Sequence, residues 1–170
     1  MSVLPDILAS GLDVVFCGSA AGTASARAGQ YYAGRGNKFW PILRRIGLTP
    51  IQLAPAEFAR VLEFAIGLTD LNKVEFGADS SLTRRAYDVD GLRGKIQKYR
   101  PRVLAFNGLK PSRAFLGRNT TGYGLQAGTF EGAAIFVLPS TSGSACGSWN
   151  EQHWHDLAAF VSATNRGGRA

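Results

Sequence analysis

The chain has 170 residues, 45% of them hydrophobic, and carries 19 Lys+Arg against 12 Asp+Glu for a formal charge of +7. That length suits a single domain over 1–170 with a substantial buried core, and the positive balance favours an anionic partner, nucleic acid first. Two cysteines, Cys17 and Cys146, are too few for a disulfide framework or an iron–sulfur cluster; no secretion-signal pattern opens the chain and no apolar run approaches ~20 residues, so a cytoplasmic protein without a membrane partner is expected.

In chain order, Asp6 to Ser10 reads as a short helical turn closed by Gly11. Val14 to Cys17 is continuously apolar, the pattern of a central strand buried on both faces. It breaks at Gly18 into a loop of small residues that runs past Tyr31 and Tyr32, both placed to stack on a flat ligand. A helix is predicted from Phe39 to Ile46, with Phe39, Ile42, Leu43 and Ile46 on one face and Gly47 ending it. Pro55 to Ala65 is predicted as a second helix, with Phe58, Val61, Leu62 and Ala65 inward. The segment from Gly67 to Leu71 reads as an irregular connection, and Glu75 to Arg85 as an exposed loop. Asp90 to Tyr99 is an amphipathic helix turning Arg93, Lys95 and Lys98 outward, and Arg102 to Phe106 is a strand. A short helix over Pro111 to Leu116 follows, then strands at Thr129–Phe130 and Ala133–Leu138. Trp154 to Ala163 is a C-terminal helix, and Arg166 to Ala170 a basic tail.

Strands alternating with helices imply a mainly parallel sheet between helical layers. Three strands end in small or polar turns: Gly18-Ser19, Asn107-Gly108 and the run from Ser140 to Gly143. Ligands of open α/β sheets bind outside such carboxyl ends. These turns, together with Thr69-Asp70, are therefore the expected walls of one site. Ser19, Ser25 and Asn107 are its polar candidates, and Asn37 braces it or caps the following helix. Arg27, Arg35, Lys38, Lys110 and Arg113 lie in or beside the same loops and are candidate phosphate contacts. His153 and His155 flank Trp154 with no acidic cluster nearby, so no metal is expected.

Read in order, these pieces resemble the uracil-DNA glycosylase superfamily, in particular its mismatch-specific uracil/thymine branch. The likeness runs through Asp6-Ile7-Leu8, Val14 to Gly18, the Gly29 to Ala33 loop, Asn37-Lys38-Phe39-Trp40, Gly67 to Leu71, Asn107-Gly108 and Val137 to Gly143. It implies an α/β three-layer sandwich around a central, mainly parallel sheet. It also implies a monomeric, monofunctional DNA-repair enzyme, without metal or cofactor, acting on DNA that contains uracil or mismatched bases. In such enzymes the nucleotide leaves the stack before its N-glycosidic bond is hydrolysed. The resemblance assigns Tyr32 to stacking on the flipped base, worth ~1–3 kcal/mol, and backbone N–H groups near Gly22 and Tyr32 to its oxygens. It puts Ser140, Ser142, Gly143 and Ser144 in the second motif, with Ser144 where an apolar wedge usually stands.

The first motif departs from the family. Where an Asn usually holds the attacking water, Gly18-Ser19-Ala20-Ala21-Gly22 presents Ala20, which has no polar side-chain atom. Asp70 stands at a position commonly occupied by lysine in the related branch, and is the candidate to handle water instead. An Asp in a turn is otherwise an ordinary capping residue. The alternative is a non-catalytic binder of damaged or abasic DNA. A nucleotide-binding enzyme is disfavoured, because the loop matches neither phosphate-binding glycine pattern in full.

Overall fold

The computed structural model describes residues 2–117 and 122–167, the side chains of 166 and 167 excepted. Five strands form one sheet in the order β2-β1-β3-β5-β4: β1 is Val14–Gly18, β2 Ile66–Asp70, β3 Val103–Asn107, β4 Gly124–Phe130 and β5 Ala133–Leu138. The first three and β5 run parallel, and only β4 is antiparallel. Helices α1 (Thr23–Ala28), α2 (Phe39–Arg45), α3 (Val89–Tyr99), α4 (Leu109–Leu116) and α5 (Gln152–Gly167) complete the fold. Most of the basic tail read from Arg166 onward lies outside the described residues.

The alternation of side chains along β1 builds both halves of the core. Val14 and Phe16 join the cluster containing Phe39, Leu43 and Trp154, from α2 and α5. Val15 and Cys17 join the opposite cluster with Leu92, Ile96 and Phe115, from α3 and α4. The result is the expected three-layer α/β sandwich. Trp154 is fully buried, stacks on Phe16 at 5.6 Å and donates its indole N–H to the Pro139 carbonyl.

Several elements differ from the sequence reading. Gly67 to Leu71 is no irregular connection: Ile66–Asp70 is strand β2, buried throughout and parallel to β1. Asp6 to Ser10 is correspondingly not helical, because Ile7 exchanges two backbone hydrogen bonds with Leu68 and covers the free edge of β2. The glycine that disguises the strand is what permits this cover. A Cβ on Gly67 would lie 2.7 Å from Leu12 Cδ1 and 2.9 Å from the Ile7 carbonyl.

Pro55–Phe64 is a 3-10 helix. With three residues per turn, Phe58, Val61 and Phe64 share the inward face, while Arg60 bonds Glu57 and Glu63 outside. Leu62, predicted inward at α-helical spacing, is 40% exposed. The small-residue loop contains a helix, α1, where the sequence predicts none. Lys95, predicted to face solvent, pairs with Asp6 at 2.7 Å. The β4–β5 hairpin closes on Glu131-Gly132, both at positive φ, as a two-residue primed turn requires.

Candidate active site

The chain leaves β1 toward β2 on one side and later returns to β3 on the other. The carboxyl ends of β1 and β3 therefore flank a topological switch point, where a crevice opens. There lies a cavity of about 580 Å³, lined by Gly18, Asp70 and Asn107 at the ends of β1, β2 and β3 and by Ser140 just past β5.

Its walls are tied together by backbone and side-chain bonds. The first-motif loop is zipped to the loop after β2, since Leu71 N–H donates to Gly18, Asn72 N–H to Ser19 and Gly77 N–H to Ala21. Ser25 Oγ accepts from Ala33 N–H at 3.0 Å and folds the loop over α1. Asn107 clasps the second motif, its Oδ1 accepting from Thr141 N–H at 3.0 Å and its Nδ2 donating to Thr141 Oγ1 at 2.9 Å. Thr141 in turn accepts from Lys38 N–H. Asn37 Oδ1 accepts from Phe39 N–H at the start of α2, so it acts as a local cap while also lining the cavity.

Asp70 is the buried carboxyl of this site, 6% exposed at the end of β2. Register places it opposite Gly18, and a Cβ there would sit 2.7 Å from Asp70 Oδ1. Burial pushes its pKa up to about 6. Lys73 and Lys95 pull it down, while Asp6 adds to the rise. Behind β2, Asp6 accepts from Thr69 Oγ1 at 2.6 Å and pairs with Lys73 at 2.9 Å. Lys73→Met therefore removes the largest opposing charge. Its Asp70 carboxyl should titrate above about 6, read by carboxyl NMR against the wild-type protein; an unchanged midpoint contradicts this coupling.

Tyr31 and Tyr32 part company. Tyr31 is 1% exposed, donates its hydroxyl to the Pro5 carbonyl and accepts from Lys73 Nζ, so it is anchored in the core while still reaching the cavity wall. Tyr32 is partly exposed on the cavity, and its ring stacks on Phe39 at 3.9 Å.

The uracil DNA glycosylase superfamily model matches residues 5–161. The chain belongs to that superfamily. It is also similar to the solution NMR structure of a Methanosarcina acetivorans protein provisionally named a uracil DNA glycosylase. The two share 26% identity at a TM-score of 0.66, over 94% of this chain and 96% of that one.

Within this superfamily member, the residues proposed from sequence divide by position. Gly18, Ser19, Ala20, Gly22, Ser25, Tyr32, Asn37, Asp70, Asn107 and Ser140 all line the cavity. So do Arg35, Lys110, Arg113, Ser142, Gly143 and Ser144, with Ser144 exposed at the rim. Arg27 and Lys38 do not line it. Arg27 is exposed on α1, and Lys38 lies over the Trp149 ring at 5.5 Å. Lys110 is engaged with the Asp79 carbonyl. The sequence reading missed Tyr123 and Asp79 on the cavity wall, and the Asp6–Lys73–Lys95 cluster behind it. Asp6 is 63 residues from Thr69, so no local pattern announces that contact.

Proposed function

We propose that this chain is a monofunctional DNA glycosylase that hydrolyses the N-glycosidic bond of uracil swung out of the helix. The observation that carries the reading is Asp70. It is a buried carboxyl with a pKa near 6, at the cavity of a uracil DNA glycosylase superfamily fold whose first motif has Ala20 where a polar side chain is usual. At neutral pH Asp70 is ionised. It accepts a proton from water as the water oxygen bonds to the sugar C1′, while the C1′–N1 bond breaks and its electron pair leaves with the base. The same negative charge offsets the positive charge that builds on the sugar. Backbone N–H groups around Gly22 and Tyr32 receive the anionic base, and the Tyr32 ring stacks on it. Arg35 and Arg113 at the rim contact phosphates on either side of the extruded nucleotide.

The chemistry calls for no redox step. Mispaired thymine and other damaged bases are further candidate substrates, and the polar Ser144 at the wedge position predicts weak reading of the opposite base. Ala20 favours the second reading, a non-catalytic binder of damaged or abasic DNA.

The two readings separate in one assay. A duplex oligonucleotide with a U·G pair is incubated with the protein and split into samples with and without alkali. A monofunctional glycosylase yields strand breaks only after alkali. Retarded but unbroken DNA in both samples would establish the binder instead. Uracil, thymine, hypoxanthine and ethenocytosine in single- and double-stranded form then define the base range.

A further inference from the structure

Tyr32 is held in a conformation that side chains ordinarily avoid. Its φ is 52°, in the left-handed region. The neighbours on both sides enforce it: the Tyr31 carbonyl accepts from the Trp40 indole N–H at 3.0 Å, and Ala33 N–H donates to Ser25 Oγ. Strain of this kind persists only where surrounding structure fixes it, and it gathers at functional sites. Here it sets the ring against Phe39 on the wall of the cavity.

That hydroxyl oxygen is buried and has no hydrogen-bond partner among the described residues. Stacking alone would need only phenylalanine, and an unsatisfied buried hydroxyl costs stability. Its neighbours are polar groups of the site. The position a Gly18 Cβ would take lies 3.5 Å from Tyr32 Oη and 2.7 Å from Asp70 Oδ1. The Asn107 side chain faces the same hydroxyl and favours the ionised phenol; its Oδ1 and one of its two Nδ2 hydrogens are engaged by Thr141. Burial and the Asp70 charge nevertheless keep the phenol protonated.

We propose that the Tyr32 hydroxyl and the Asp70 carboxylate together hold the attacking water, so that Tyr32 supplies one of the contacts Ala20 cannot make. This assignment rests on the role given to Asp70 above. One water proton goes to the carboxylate during attack. The second is held by the phenol oxygen, which leaves a lone pair of the water directed at C1′ and transfers no proton itself.

Tyr32→Phe keeps the ring, its contact with Phe39 and its stacking surface, and deletes only the hydroxyl. Single-turnover uracil release should fall about 10- to 100-fold, with DNA affinity within about twofold of wild type. Because the deleted group has no hydrogen-bond partner among the described residues, the variant should melt at the same temperature as wild type or higher. In an Asp70→Asn background the same change should cost less than about threefold, since the two groups act on one water. A Tyr32→Phe enzyme as fast as an active wild type overturns the assignment and leaves the glycosylase reading intact. So does a variant whose melting temperature drops along with its rate, or a full additive loss in the double variant. A wild-type protein that releases no base overturns both.

Discussion

Asp70→Asn is expected to slow uracil release by about 10²-fold and Asp70→Ala by up to about 10⁴-fold, with DNA binding retained in both. The asparagine still offers an oxygen to water but neither takes its proton nor carries charge. Stability should move the other way. The folded pKa of about 6 lies above the ordinary aspartate value of 3.8. Between those values the native state binds a proton that the unfolded chain has lost, so stability falls as pH rises through this window. Above it, ionised Asp70 is a net cost on the order of 3 kcal/mol. At pH 7.5 Asp70→Asn should therefore melt several degrees higher than wild type. A capping aspartate would behave oppositely, with its removal lowering the melting temperature and sparing the rate. Single-turnover kinetics and calorimetry on one preparation decide between them.

Gly18→Ala is expected to impair both rate and stability. The added methyl would stand 2.7 Å from Asp70 Oδ1, a separation that Cβ atoms do not adopt, and 3.5 Å from Tyr32 Oη. The strand end is fixed by its register with β2 and by the bond from Leu71 N–H to its carbonyl, so the carboxylate must give way. Overpacking at a site this rigid costs about 1–3 kcal/mol. Displacing the carboxylate should cost a rate factor close to that of Asp70→Ala, at least 10²-fold. The contrast with Asp70→Ala is informative, because that variant deletes the group without crowding the strand and should not be destabilised. Wild-type turnover in Gly18→Ala would mean that the close approach of these two residues plays no part in the chemistry.

These two residues also mark what the sequence could and could not reveal. Strand β1 is legible because four apolar residues in succession suit a strand covered on both faces, and β3 and β5 are legible for the same reason. Strand β2 is hidden by Gly67 and Asp70, residues of poor strand preference, and by the polar Thr69, which breaks the apolar run of a buried strand. Each is there for a contact that comes from elsewhere in the chain: Gly67 lets Ile7 cross, Thr69 bonds Asp6, and Asp70 faces Gly18. The location of the site followed from the strand ends, because the rule for carboxyl edges depends on topology rather than on side chains. Helix α1, on which Arg27 is exposed off the cavity wall, was not legible, because its short sequence of small residues carries no apolar face to announce a helix. Tyr32 was read as a stacking ring. Its hydroxyl became informative only once the left-handed backbone and the absence of a partner among the described residues were in view.

The pH dependence of single-turnover uracil release bears most directly on the carboxylate at the end of β2. With Asp70 as the group that takes the water proton, the rate should climb about tenfold per pH unit below about 6 and level off above it. The Asp70→Asn protein should lack that bend altogether. A wild-type rate that stays flat from pH 5 to pH 8, or the same bend persisting in Asp70→Asn, would contradict the account.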